Sequence, residues 1–71
     1  MSIEIGTLRA EQVTEGMELL HRGVWRPVLA DAEIVVGRKS RRARITLGGA
    51  DTSVVEMVAH SIVRVRAGQK G

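Results

Sequence analysis

The densest group of chemically active side chains in this sequence is a run of cations near the middle of the chain. Guanidinium groups grip phosphate oxygens in pairs, and cations that neutralise phosphates gain free energy by releasing condensed counterions. The run therefore predicts electrostatic binding of an anionic partner, either nucleic acid or an acidic protein surface. The alternative is a solvated loop that keeps the protein soluble or pairs with acids elsewhere. Five of the seven residues from 38 to 44 are basic: Arg38, Lys39, Arg41, Arg42 and Arg44.

Formal charge is distributed unevenly along the 71 residues, which carry +3 in total. Residues 1–33 contain six acids and three bases, giving −3, whereas residues 34–71 contain eight bases and two acids, giving +6. Such asymmetry indicates an anionic partner for the second half. Arg64 and Arg66 belong to that half, and we expect them to extend the positive surface if their strand lies near the basic run.

Trp25 is the one Trp of a chain that contains neither Phe nor Tyr. Proteins that bind single-stranded nucleic acid stack bases on aromatic rings, so the composition disfavours that class. Contacts to the backbone of a duplex need no aromatic platform. Duplex nucleic acid is therefore the form of nucleic acid that the sequence favours.

Catalytic and metal-binding patterns are missing from the sequence. His21 and His60 lie 39 positions apart, and the chain has no cysteine, whereas zinc sites need closely spaced His and Cys ligands. Asp31 and Glu33 have no visible acid partner for acid–base work. The glycines at 48–49 are not followed by the Gly-Lys-Ser/Thr of a phosphate loop. We expect no enzymatic activity, no cofactor and no metal.

The elements that position the basic run are predicted to be strands, because apolar residues recur mostly at every second position. We expect about five antiparallel strands, over residues 17–21, 24–28 with a strongly bent continuation to residue 36, 43–47, 54–59 and 62–67. Residues 8–13 predict a short helical or 3₁₀ turn. The basic run then lies at and beside a hairpin tip. The inward-facing side chains of the long bent strand are expected to be Val28, Ala30, Ala32, Ile34 and Val36.

Five short strands suffice to close, or nearly close, one small barrel, and closure also removes exposed sheet edges. We therefore expect one domain over residues 1–67 and a disordered tail over residues 68–71. No segment approaches the roughly 20 apolar residues of a membrane span, and the N-terminus lacks the features of a signal peptide. The expected location is the cytoplasm of a bacterium or of an infected host, with no membrane partner.

Some apolar residues fall on faces that a small barrel leaves outside. Val54 and Val58 point away from the inward set of their strand, which makes them candidates for a protein interface or for self-association into a homo-oligomer. Trp25 is expected to anchor the core or its rim, and the alternative is an exposed binding residue, since Trp is enriched where binding energy concentrates.

Residues 13–67 resemble the SH3-like small β-barrels, and they are most similar to short barrel proteins of actinobacteria and their phages. In that group a Gly-hydrophobic turn opens the first strand, Gly-x-Trp enters the second, and a 3₁₀ turn precedes a last strand of Val-x-Val type. The resemblance implies an SH3-like barrel but no single function, because related barrels bind RNA, DNA, peptides or proteins. The matching positions are Gly16, Gly23, Trp25, Gly48, Gly49, Val63 and Val65.

The sequence thus predicts a small non-enzymatic binding or regulatory protein that engages an anionic partner, with duplex nucleic acid as one candidate, through the basic hairpin tip. The alternative is a protein-interaction module, plausibly encoded by a phage, that binds a host protein or assembles with itself through Trp25, Val54 and Val58.

Overall fold

The computed structural model describes residues 5–68, and it is all-β with one turn of 3₁₀ helix. The all-β class and the short turn, at Ala10–Gln12, are confirmed. The structure has seven strands where about five were expected, because residues 5–9 form a strand of their own and the long bent strand is interrupted. The strands are β1 (Ile5–Arg9), β2 (Met17–His21), β3 (Val24–Pro27), β4 (Glu33–Val36), β5 (Arg41–Leu47), β6 (Ser53–Val58) and β7 (Ile62–Ala67).

The strands form two open antiparallel sheets. One contains four strands in the order β1-β7-β2-β3, and the other contains three in the order β4-β5-β6. An isolated bridge between Val28 and Leu47 joins the two sheets. The expected closed barrel is therefore wrong for the described residues: β1, β4 and β6 each pair along one edge, and no continuous ladder runs around the molecule.

Val28 is the residue at which the chain passes from one sheet to the other. Its amide donates to the carbonyl of Met17 at 2.8 Å, just beyond the end of the β2–β3 ladder. On its other side, the Leu29 amide donates to the Thr46 carbonyl at 2.9 Å, and the Gly48 amide to the Pro27 carbonyl at 2.8 Å. The segment thus lies between β2 and β5 and is hydrogen-bonded to both sides.

The expected continuous strand from residue 28 to residue 36 is also wrong, because residues 30–32 leave the ladder. The Asp31 carboxylate accepts a hydrogen bond from the Glu15 amide at 2.9 Å, and the Ala32 amide donates to the Val13 carbonyl at 2.9 Å. These bonds hold residues 30–32 against the segment before β2. The predicted inward set is correspondingly incomplete, since Ala30 and Val36 are exposed.

The core lies between the inner faces of the two sheets and consists of aliphatic side chains. The alternation predicted for β5 is confirmed, since Ala43, Ile45 and Leu47 are fully buried. Trp25 does not belong to this core, so of the two places expected for an anchoring ring, the core and its rim, the core is excluded. Its side chain is half-buried on the outer face of the four-stranded sheet, opposite Leu20 of β2. The buried hydrophobic residues are Ala10, Val13, Leu19, Val28, Ala43, Ile45, Leu47, Ala59 and Val65.

Arg22 and Gly23 form the turn between β2 and β3, and both residues have positive φ, of 53° and 78°. Two-residue hairpins favour this conformation because its twist matches the twist of the flanking strands. The turn fixes the β2–β3 register, with His21 opposite Val24.

At the other end of the sheet, Gly68 lies so close to Gly16 that a Cβ added to Gly68 would meet the Gly16 carbonyl oxygen. The rest of the expected tail, residues 69–71, lies outside the described residues.

Arg26 fastens the loop between β5 and β6, residues 48–52, to the edge of the four-stranded sheet. Its Nε donates to the Gly48 carbonyl at 2.8 Å, and its Nη1 donates to the Ser53 hydroxyl at 3.2 Å. Its Nη2 donates to the Asp51 carbonyl. One half-buried guanidinium therefore satisfies three acceptors of the same hairpin, so it stabilises the junction between the sheets.

No helix among the described residues is long and apolar enough to cross a membrane.

We predict that Arg26→Ala lowers the free energy of unfolding by about 1–3 kcal/mol, because the loop carbonyls lose a charged donor in a partly buried setting. Urea unfolding followed by far-UV circular dichroism measures the change. Arg38→Ala is the matched control, since it removes the same type of side chain from an exposed loop position. Equal unfolding midpoints for the two variants would show that Arg26 does not stabilise the junction.

Candidate anion-binding surface

The basic run lies where the sequence placed it, at the hairpin between β4 and β5. A bond from the Gly37 amide to the Ser40 carbonyl at 2.9 Å closes the loop of residues 37–40. Arg38 and Lys39 are exposed in this loop, and Arg41 is exposed at the start of β5. Within residues 5–68, none of these three cations lies within 4.0 Å of a carboxylate oxygen. We call them the tip cations.

The other two cations of the run are engaged by acids from the neighbouring strands. Arg42 donates from Nε to Glu56 Oε1 at 2.7 Å. Arg44 lies between two carboxylates, with its Nη1 3.7 Å from Glu33 Oε1 and its Nε 3.6 Å from Glu56 Oε2. The ladder register sets this arrangement, because Glu33 and Glu56 are both directly opposite Arg44 on the flanking strands. Arg42 and Arg44 are therefore already paired within the fold.

The predicted extension of the positive surface through Arg64 and Arg66 is not formed within one sheet. Both arginines belong to β7 in the four-stranded sheet, whereas the basic run belongs to the three-stranded sheet. Val65 lies between Arg64 and Arg66 in β7, and Ile45 follows Arg44 in β5; both Val65 and Ile45 are buried in the same core. The outer faces of the two sheets therefore point away from a shared interior, and the arginines lie on separate surfaces.

Arg66 is engaged on the outer face of its own sheet. Its Nε donates to Glu18 Oε1 at 2.6 Å, and its guanidinium carbon lies 4.5 Å from the centroid of the Trp25 ring. The Arg66–Glu18 pair is the least exposed of the ion pairs found among the described residues, with side-chain exposures of 25% for Arg66 and 20% for Glu18. A cation over an indole contributes about 0.5–2 kcal/mol, depending on exposure. Arg64 is exposed and has no carboxylate partner within the described residues.

The candidate protein-interaction residues do not form one surface. Val54 and Val58 lie on the outer face of β6, where Val54 is 56% exposed and Val58 is half-buried beside Arg42. Trp25 lies on the outer face of the other sheet, partly covered by Arg66. Val54 also lines a groove of about 600 Å³ with Val24 from the β2–β3 hairpin.

Two features of the site could not be read from the linear pattern. The first is the neutralisation of Arg42 and Arg44, whose acidic partners come from β4 and β6. The second is the exposure of Val35 and Val36, which are 37% and 75% exposed on β4. The alternation assigns Ile34 and Val36 to the inward face, so it does not indicate that Val36 is exposed.

Among the described residues there is no cluster of three or more His, Cys, Asp or Glu side chains that could hold a metal ion. Comparisons with protein-family models, curated proteins and solved structures gave no match for this chain. The assignment of the site therefore depends on its geometry and charge.

We predict that Glu56→Gln strengthens the binding of polyanions, because it removes the carboxylate that holds Arg42 and Arg44 while preserving the shape of the side chain. Exposed ion pairs contribute about 0–1 kcal/mol, so the fold should persist. The measurement is retention on a heparin column together with a circular dichroism spectrum. The control is Glu18→Gln, which makes the same charge change on the other sheet, and equal retention of the two variants would argue against local control by Glu56.

Proposed function

We propose that the protein is a non-enzymatic binding protein that engages duplex nucleic acid through the tip cations Arg38, Lys39 and Arg41. The observation that carries the proposal is the division of the basic run into paired and unpaired members. Arg42 and Arg44 are held by carboxylates, whereas the three tip cations are exposed and have no carboxylate partner within the described residues.

The position of the tip cations suits contact with a phosphate backbone. They lie on a hairpin loop and at the first residue of a strand, so an extended polyanion can approach them without displacing the core. Backbone contacts of this kind fix a protein on a duplex without reading its sequence. We therefore expect binding that is weak, dependent on salt and tolerant of base sequence.

Duplex remains favoured over single strands because the one Trp is already engaged. The guanidinium of Arg66 lies over the Trp25 ring, with Glu18 bonded to the same guanidinium. A base that stacked on this face of the indole would have to displace the arginine. The tip cations also belong to the β4–β5 hairpin of the three-stranded sheet, whereas Trp25 lies in the four-stranded sheet, so one nucleic-acid strand contacting both would have to pass around the molecule.

We predict that the affinity for a labelled duplex falls with salt as expected for about three phosphate contacts. The slope of log affinity against log salt is about −0.9 for each contact on duplex DNA, so about −2.7 is expected for the wild-type chain. Arg41→Gln should make the slope less steep by about 0.9 and weaken binding at low salt. Fluorescence anisotropy of the labelled duplex gives both quantities.

The matched control for this experiment is Arg64→Gln, which removes the same charge from an exposed position on the other sheet. Binding by the tip predicts that Arg64→Gln leaves the slope close to the wild-type value. Equal effects of the two substitutions would show that net charge, not the tip, determines binding. Absence of any binding at about 50 mM salt would sink the proposal, since electrostatic association is strong under that condition.

A protein-interaction module is the second candidate, and the open sheet edges with their exposed aliphatic residues favour it. Seven large apolar residues among those described are more than a third exposed, and Val54 at 56% is one of them. Such residues on edge and outer positions are typical of contact surfaces. Under this hypothesis Trp25, Val54 and Val58 contribute the contact area.

The two candidates are separated by affinity capture from the native cell with and without nuclease. Capture that survives nuclease but is lost with Val58→Glu supports the protein module, with Thr52→Glu as a control for added charge at an exposed loop position. Capture that disappears with nuclease, and that is retained by Val58→Glu, supports the nucleic-acid proposal.

We also propose that the fold is related to the SH3-like small barrels. The order of strands, the Gly-x-Trp entry to β3 and the turn before β7 support kinship with the SH3-like small barrels, and the open sheets mark a departure from a closed barrel. A cytoplasmic location, in a bacterium or in a host infected by a phage, is the setting in which we propose that the protein acts.

A further inference from the structure

One edge of β4 is unpaired in the part of the chain that the structure describes. β4 pairs with β5 along its other edge, and no strand among residues 5–68 pairs along the free one. The segment before it is held differently, since the Ala32 amide donates to the Val13 carbonyl at 2.9 Å. Edge strands offer a row of unpaired backbone groups to any strand that approaches them.

The backbone groups at this free edge follow from the alternation of an antiparallel ladder. The Gly37 amide points towards the β5 side, where it donates to the Ser40 carbonyl at 2.9 Å, and the Ala32 amide points to the opposite side. Successive residues of a strand point their amides to opposite edges. The amides and carbonyls of Ile34 and Val36 therefore face the free edge, while those of Glu33 and Val35 face β5.

The side chains of β4 do nothing to block pairing at this edge. Val36 is 75% exposed, the highest value among the large apolar residues described, and Val35 is 37% exposed. Proteins protect edge strands with lysines, prolines or bulges, and β4 contains none of these over its four residues. Its one charge is Glu33, at the start of the strand.

We propose that this edge pairs with β4 of a second copy of the chain, antiparallel, about a two-fold axis that passes beside Val35. In this register Ile34 lies opposite Val36 of the partner subunit, and Val35 lies opposite Val35 of the partner subunit. The backbone groups of Ile34 and Val36 then form four hydrogen bonds across the axis, and the two three-stranded sheets become one sheet of six strands.

The apolar pattern of β4 favours a second copy of the chain as the strand that pairs with its free edge. The run Ile34-Val35-Val36 is apolar throughout, so reversal about Val35 places an aliphatic residue opposite an aliphatic residue at every position. Ile34 of one copy covers the exposed Val36 of the other on the inner face. Shifting the register by two residues would pair either Ile34 or Val36 with itself and leave the remaining edge groups unbonded.

Charge complementarity supports the same register. Glu33 lies opposite Gly37 of the partner subunit, beside the partner's Arg38. Its side chain is 70% exposed and its oxygen lies 3.7 Å from Arg44, so it has room to accept a second cation. The two-fold axis repeats this contact, which places an acid next to a basic loop at each end of the paired strands.

The interface is small, and its size sets the expected strength. A pairing of four-residue strands buries less than the roughly 1,200 Å² typical of a stable interface. The dimer should therefore form at high micromolar protein concentration and dissociate on dilution. It goes beyond the proposed binding of duplex nucleic acid and does not depend on it, since none of the tip cations contributes a backbone hydrogen bond.

The test uses Val35→Cys, since the natural chain contains no cysteine. Opposed residues of a non-hydrogen-bonded antiparallel pair have Cα atoms about 4.5 Å apart, which lies within the range that a disulfide spans. We expect Val35→Cys to form a crosslinked dimer under mild oxidation at least about tenfold faster than Val54→Cys. Val54 is the matched control because it is an aliphatic residue of greater exposure, 56%, on the outer face of the same sheet.

Equal rates of crosslinking for Val35→Cys and Val54→Cys would overturn the proposal, since random collision favours the more exposed thiol. A second measurement is sedimentation of the wild-type chain from low micromolar to about 1 mM. We expect the mass to rise from 7.7 kDa towards twice that value. A mass of 7.7 kDa over the whole range would also overturn it.

Two further variants test the backbone and the side-chain contributions separately. Val36→Pro removes an amide that faces the free edge and leaves the ladder with β5 intact, and Val35→Lys places two cations opposite each other. Both should remain monomeric over the whole concentration range. Ile62→Lys, at a 67% exposed position on the other sheet, should associate as the wild type does. Association of Val35→Lys at the wild-type level would contradict the proposed register.

Discussion

The polypeptide passes from the four-stranded sheet to the three-stranded sheet at Val28, and most of the remaining structure depends on this crossing. Hydrogen bonds join the segment of residues 27–29 to β2 on one side and to β5 on the other, while the Val28 side chain is buried at 2% exposure. The aliphatic core fills the space that the crossing creates, and Arg26 ties the β5–β6 loop to the strand that leads into it.

Cross-strand register determines which cations the protein presents to its surroundings. Arg44 is directly opposite an acid on each side, and Arg42 bonds to one of the same acids, so both charges are compensated where they stand. The loop residues Arg38 and Lys39 lie beyond the ladder and have no opposite positions. An arginine's position in the hairpin therefore determines whether it is paired within the fold or available to a partner. The density of cations along the sequence does not determine this.

The sequence predicted the parts of the fold that local chemistry determines. Alternation predicted β2 and the buried side of β5, and the strand bounds 17–21 and 24–28 left two residues for the connection, because these features depend on neighbours along the chain. The same turn could have placed Trp25, since a two-residue loop pairs it with Leu20, which is on the opposite face from the buried Leu19.

The sequence-based predictions are wrong where the structure depends on contacts between distant segments of the chain. The break after Leu29 depends on bonds to Val13 and Glu15, which no periodicity in residues 28–36 reveals. The location of the candidate site was predictable from its local density of charge. The compensation of Arg42 and Arg44, and the open edge of β4, were not, because both depend on which strands become neighbours.

The stacking of Arg66 on Trp25 also determines what light can report about this protein. With no Tyr and no Phe in the chain, near-ultraviolet absorption and intrinsic emission come from one indole, on the outer face of the four-stranded sheet. A guanidinium on one side and a nearby carboxylate set its local field. The chromophore therefore senses the β2–β3–β7 region directly and the β4–β5 hairpin only at a distance. A change in Trp25 absorption or emission caused by a ligand of the basic tip would therefore report a structural change that reaches the four-stranded sheet through the crossing at Val28. An unchanged spectrum would indicate that the two sheets remain rigid when the ligand binds.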